Sequence, residues 1–173
     1  MPERSGFESR WAMSLTDHLQ RQMMIKQVKV STQAKEQLIR LKARTGIPHW
    51  NVLCRWAFCL SLRQPSPPAP IDVAADSNVE MTWLVFGGDT HELYLALLKE
   101  RCERDALGTS EEVLARQFRL HLHRGIGYLA APHAIRSIAQ LVHLAIGEDA
   151  IDRSTFETDS AEVGQRPLPG RQR

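Results

Sequence analysis

Ile25 to Leu62, IKQVKVSTQAKEQLIRLKARTGIPHWNVLCRWAFCLSL, is the stretch on which the fold turns. It reads as a short strand, a basic helix, a glycine turn and a nearly all-apolar helix. Ile25 to Val30 alternates β-branched residues with Lys26, Gln27 and Lys29, the pattern of a half-solvated strand. Ser31 and Thr32 follow with side-chain oxygens suited to the unpaired N–H groups of a helix start. Ala34, Leu38 and Leu41 then make a narrow apolar stripe at helical spacing, while Lys35, Arg40, Lys42 and Arg44 point elsewhere. Gly46 can end that helix in a left-handed cap. Pro48 suits the first turn of the next, which carries Trp50, Val52, Leu53, Cys54, Trp56, Ala57, Phe58, Cys59 and Leu60. A helix apolar on almost every face is buried inside something. Arg55, its one fully charged side chain before Arg63, must find an anionic partner or reach past its neighbours to water.

Between Arg21 and Arg63 there are nine basic residues and one acid, Glu36, although the whole chain of 173 residues carries a net charge of only +2. Clustered Lys and Arg release condensed counterions when they neutralise phosphates, which points to a nucleic acid. A solvated helix face explains the same charges, and charge alone does not choose.

The chain is long enough for one compact domain. Cys54, Cys59 and Cys102 lack paired metal-ligand spacing and read as small core residues in a reducing cytosol. No run approaches the roughly 18 apolar residues of a membrane helix. The expectation is a soluble, cytoplasmic protein with no membrane partner and no cofactor.

Residues 1–24 read as an extension with little apolar pattern, and 25–147 as the domain. The prolines between Gln64 and Asp76 predict an extended loop. Val79 to Phe86 reads as a strand stopped by Gly87 and Gly88. Asp89 or Thr90 caps the next helix, with Leu93, Ala96, Leu97 and Glu100 on one side and Tyr94 and Leu98 widening the buried face. That helix frays near Asp105 to Gly108. Another starts at Thr109 or Ser110, buries Val113, Leu114, Phe118 and Leu120, and ends at Gly125. A last helix spans Pro132 to Ile146 with Ile135, Ile138, Ala139, Leu141, Val142 and Ala145 inward. Residues 148–173 are acidic and poor in apolar side chains, the composition of a disordered tail.

His121 and His123, two residues apart, could hold a metal only from an extended segment, since on a helix they diverge by about 200 degrees. Contact of His123 and Arg124 with phosphate is the better use for them.

The strand-helix-helix order of residues 25–62 resembles the ribbon-helix-helix pattern, which would pair strands from two chains and place Gln27 and Lys29 at base edges. A second resemblance covers about Lys29 to Leu129. RLKARTGIPHWNVLCRWAFCLSL, TWLVFGGDTHELYLALLK and LHLHRGIGYL, in that order, are similar to the DndE family of the bacterial DNA phosphorothioation, or sulfur modification, system. That resemblance implies a non-catalytic DNA-binding accessory that prefers nicked duplex, assembles as a homotetramer and acts beside the other proteins of the modification complex. The DNA-contact candidates are Lys26, Lys29, Lys35, Arg40, Lys42, Arg44, Arg55 and Arg124. Family contacts are attributed to surface lysines, and arginine at some positions here would still bind phosphate, bidentately. The chain departs from the family pattern in its longer N-terminal extension and acidic tail.

The expected fold is mainly α with one or two short strands, a compact helical domain with a ribbon-helix-helix-like N-terminal unit. The alternatives are a ribbon-helix-helix regulator on an operator, or an enzyme. Against the last, there is no recognisable nuclease motif and no CxxC, and Cys54 and Cys59 lie about 140 degrees apart on the apolar helix. That helix also predicts a homo-oligomer whose interface includes Trp50 or Trp56.

Overall fold

In a computed structural model, which describes residues 25–131 and 134–146, the chain is mainly helical with one two-stranded antiparallel sheet. The elements in order are β1 (Gln27–Lys29), α1 (Thr32–Thr45), α2 (Trp50–Arg63), β2 (Glu80–Thr82), α3 (Trp83–Gly87), a single 3-10 turn (Gly88–Thr90), α4 (His91–Arg104), α5 (Glu111–Ala130) and α6 (Ile138–Ile146). The chain divides into two compact units, Met1–Ile138 and Ala139–Arg173. The readings made for the N-terminal extension and the acidic tail lie outside the described residues.

The strand-helix-helix order of the opening stretch holds. Ser31 caps α1, its Oγ accepting from Ala34 N at 3.2 Å, and Gly46 ends it at φ 72°, its N–H donating to Lys42 O. The ribbon differs from a two-chain ribbon-helix-helix: β1 pairs within the chain, Gln27 opposite Thr82, Val28 opposite Met81 and Lys29 opposite Glu80. Pro48 lies outside α2, whose N-cap is His49.

The expected strand from Val79 to Phe86 is cut short at Thr82. Its Oγ1 accepts from Val85 N at 3.2 Å and turns Trp83–Gly87 into a short helix. A cap satisfies an N–H that the last ladder bond, Trp83 N to Lys26 O, leaves behind. The turn drives Trp83 and Phe86 inward, where they stack at 5.1 Å between centroids and meet Phe118 edge-on at 5.2 and 5.0 Å. Phe58 of α2 completes the cluster, 5.1 Å from Phe118.

α5 is the spine. It does not stop at Gly125 but runs through it for 20 residues, and α2 lies along it in the most extensive packing of the unit. A Cβ on Gly125 would sit 1.8 Å from Ala57 O and 2.9 Å from Ala57 Cα, so the backbones of the two helices touch there. Leu114, Phe118, Leu122, Ile126 and Leu129 bury the α5 side of the core against Leu53, Cys54 and Phe58 of α2 and Leu38 and Leu41 of α1.

Three burial expectations change. Cys59 is exposed, whereas Cys54 and Cys102 are buried. On α4 the expected stripe faces out, with Leu93 56% and Leu97 40% exposed; the buried positions are Leu98, Arg101 and Cys102. α6 begins at Ile138, and of its expected inward residues Ile138, Ala139, Val142 and Ala145 are exposed while Leu141 is buried. The extended loop over Gln64–Asp76 is present, as are the Ser110 cap of α5 and the end of α4 at Arg104. Among the described residues, no helix is long and apolar enough to cross a membrane.

Candidate functional site

α1 does not present one basic face. Lys35 and Lys42 are seven residues apart and share one side of the helix, while Arg40 and Arg44 lie about 140 and 180 degrees around from Lys35. The buried stripe of Ala34, Leu38, Leu41 and Thr45 runs between these two edges.

The lysine side of α1 touches the segment that leads into β2. Lys35 Nζ donates to Asn78 Oδ1 at 2.7 Å, just ahead of β2, and Lys42 Nζ lies 4.6 Å from the ring centroid of the half-buried Trp50. Lys26 is exposed and Lys29 is half-buried, on the strand that leads into α1. Asp76 belongs to this neighbourhood, but its Oδ1 accepts the Thr32 N–H at 2.8 Å. That bond, helped by Lys29, holds its carboxyl below the usual carboxylate range.

The arginines have different work. Arg44 Nη1 donates to Ala130 O at 3.3 Å and Arg55 Nη1 to Phe86 O at 3.1 Å; each satisfies a carbonyl at the end of a neighbouring helix. Arg124 is committed more fully. Its Nε donates to Ser61 Oγ at 2.8 Å, Nη2 to Ser61 O at 2.7 Å and Nη1 to Ser66 O at 2.8 Å. Arg40 is exposed on the opposite side of α1 from the lysines.

Arg101, which sequence reasoning did not single out, completes a clamp on the C-terminus of α2. Only 2% exposed, it donates to Leu62 O at 2.8 Å, to Gln64 O and to Pro65 O, and pairs through Nε with Asp105 at 2.8 Å. Helix-end carbonyls lack intrahelical donors and carry the negative end of the dipole, so two guanidinium groups suit them. The available signal was positional: Arg101 shares the face of Leu98 and Cys102, three residues and one residue away.

Both histidines are consumed by the fold. Ser61 Oγ accepts from Arg124 Nε, and His121 Nδ1 lies 3.0 Å from that oxygen and 3.5 Å from Arg124 Nη2; a guanidinium can only donate, so the arrangement suits Nδ1 as an acceptor on a neutral ring. Burial, with Arg124 and Arg101 nearby, pushes its pKa down to about 4. His123 accepts from Ser31 N at Nε2, 3.0 Å, and donates from Nδ1 to Arg119 O at 2.8 Å. Both nitrogens of His123 and Nδ1 of His121 are engaged by protein groups, and among the described residues no group of three or more His, Cys, Asp or Glu could hold a metal.

A pH prediction follows. Between pH 6.5 and about 4 the unfolded chain takes up a proton at His121 that the folded chain refuses. Stability therefore falls as pH drops through that window, by about 3 kcal/mol in total, and is fully present above it. Denaturant melts across the range, compared with His121→Gln, should show a shallower slope in the variant, with the remainder from His123, which burial also holds below the usual histidine range; an equal slope in both would place the titration elsewhere.

The thiols are held in the protonated form. Burial raises Cys54 to about 12 and moves Cys59 and Cys102 upward as well, so none is poised as a thiolate.

Comparison with known proteins gives a family model and a similar fold. Residues 27–137 match the family model described as DNA sulphur modification protein DndE. A crystal structure of DndE from Escherichia coli B7A, involved in DNA phosphorothioation modification, is 24% identical with a TM-score of 0.53, covering 62% of this chain and 98% of that one. A crystal structure of a DndE mutant involved in DNA phosphorothioation is 19% identical with a TM-score of 0.46, covering 59% and 95%. No curated protein matches.

Proposed function

The chain belongs to the DndE family of DNA sulphur modification proteins, and on that premise we propose that it is a non-catalytic DNA-binding accessory of phosphorothioation. It grips duplex through backbone phosphates, prefers a nick and works in the cytoplasm as a homotetramer beside the other proteins of the system. The observation that carries the DNA contact is the pair Lys35 and Lys42 on one side of α1, with Lys26 and Lys29 on the adjoining β1 segment and no acid ion-paired to any of the four among the described residues. Arg40 supplements it from the far side of α1. Arg124 acts in this reading by fixing α2 against α5, since its donors already meet Ser61 and Ser66, while Arg44 and Arg55 each give one donor to a helix-end carbonyl and keep others for phosphate.

Its chemistry is electrostatic. Each neutralised phosphate releases counterions, so affinity falls steeply with salt and depends little on sequence. A nick removes most of the cost of bending a duplex onto a surface, which is why broken duplex is preferred. The raised thiol pKa values support a scaffold over a sulfur carrier, because a carrier needs a thiolate.

The test measures binding of the full chain to intact and nicked versions of one duplex over a range of salt. Wild type should favour the nick, and Lys35→Gln/Lys42→Gln should lower the slope of log affinity against log salt by about 1.8, two phosphate contacts at about 0.9 each. Affinity of the wild type that does not change with salt would sink the proposal.

A further inference from the structure

The starts of α2 and α4 are both tied to α3. Asn51 Nδ2 donates to Val85 O at 2.9 Å and Arg55 Nη1 to Phe86 O, and α4 follows α3 after the single 3-10 turn. Their far ends meet again, where Arg101 Nη1 reaches Leu62 O at 2.8 Å. The two helices therefore run side by side in one direction, and their outer faces leave an apolar groove. Leu93 and Leu97, 56% and 40% exposed, stand one turn apart on α4; half-buried Trp56 and exposed Cys59 stand one turn apart on α2. Leu97 and Cys59 share a cleft of about 250 Å³, and Val85, 53% exposed, stands at the α3 end. An open apolar face of this extent marks a contact site.

The occupant is indicated by where the chain enters. β1 runs antiparallel to β2 with Gln27 opposite Thr82, and Trp83 N donates to Lys26 O at 3.1 Å. Going back from Gln27 leads past Thr82 and toward α3, so the segment before Ile25 joins the domain at the α3 end of the groove. In that segment Trp11, Leu15, Leu19 and Met23 recur every fourth residue, the spacing of one helix face, and Asp17, Gln20 and Arg21 fall on the other.

We propose that residues 11–24 dock in this groove as an amphipathic helix of the same chain, antiparallel to α2 and α4. The length fits: residues 11–24 would rise about 21 Å, as do α2 and α4 with 14 residues each. By the same rise Leu15, nine residues before Met24, comes level with Cys59, nine residues after Trp50 at the start of α2. Residues 1–24 lie outside the family match at 27–137, so this cover is an addition of the chain to the shared fold. The inference stands apart from the DNA reading, since the groove involves neither α1 nor the lysines.

The test is disulfide formation with the native Cys59 in the full chain. Leu15→Cys should oxidise with Cys59 of its own chain about tenfold or more faster than Asp17→Cys. The two tethers are similar in length, but docking raises the effective concentration only for the position that faces the groove. Cys54 and Cys102 are buried and do not compete. Peptide mapping identifies the partners, and far-UV circular dichroism checks the fold. Adding Leu93→Glu/Leu97→Glu to Leu15→Cys should bring its rate down to that of Asp17→Cys. Equal rates at positions 15 and 17 overturn the proposal. So does a link that forms between chains, which gives the groove to another copy, or one that survives the α4 substitutions, which seats the segment elsewhere.

Discussion

Gly125→Ala is expected to destabilise the protein by about 3 kcal/mol or more, the upper end of what overpacking a rigid contact costs. The added methyl would sit 1.8 Å from Ala57 O and 2.4 Å from Ala57 C. Those atoms are backbone in the middle of α2, so relief requires the two longest-packed helices to separate. Separation would loosen Phe58, Phe118 and Leu122 together. Two residues on, the same substitution should have the opposite sign. A Cβ on Gly127 meets nothing within 4 Å, and replacing a glycine inside a helix by alanine gains about 0.5–1 kcal/mol from propensity alone. Urea melts of the two variants beside wild type check this. Similar shifts in both would mean that α2 and α5 do not touch at Ala57.

The second large effect is Arg101→Met, expected to lower stability by about 3–5 kcal/mol, the range for removing one partner of a buried pair. Methionine keeps much of the volume, so the loss reports the guanidinium. Without it the carbonyls of Leu62, Gln64 and Pro65 lose their donor and Asp105, mostly buried, loses its counter-charge. Arg101→Lys should recover only part, since a single ammonium cannot reach the carbonyls and the carboxylate in the fork geometry. The same loss with the acid removed as well, in Arg101→Met/Asp105→Asn, would show how much of the cost is the stranded carboxylate; a double variant no better than the single one assigns the cost to the helix end. By contrast the lysine-edge variants should leave stability within about 0.5 kcal/mol of wild type, because they touch no buried group.

Much of the fold was legible where the signal is local. Ser31, Gly46 and Ser110 mark helix ends because capping needs only neighbouring atoms. The order of the motifs around RTG, FGG and HLHRGI was enough to indicate the family, since each piece keeps its spacing within one element. Strand against helix at Val79 to Phe86 was not legible: Val, Trp and Phe suit a pleat, and only the inward pull of Trp83 and Phe86 toward Phe118 makes Thr82 a cap instead of a strand residue. The outward stripe of α4 failed for the related reason that helical spacing shows which residues share a face but not which face the core occupies.

For the site the division is sharper. Sequence determined that this chain carries an excess of positive charge between Arg21 and Arg63, on elements whose ends and apolar stripe it also specifies. Tertiary structure decided what each cation meets within the chain. Lysine and arginine look alike in a charge count, but where a helix C-terminus or a buried carbonyl comes within reach, desolvation makes the pairing with a guanidinium strongly favoured, and Arg44, Arg55, Arg101 and Arg124 are drawn inward. Lys26, Lys29, Lys35 and Lys42 meet no such group and stay at the surface, and which carbonyl each arginine meets is set by the packing of its own helix on a neighbour, α1 on α5 for Arg44, α2 on α3 for Arg55 and α4 on the end of α2 for Arg101.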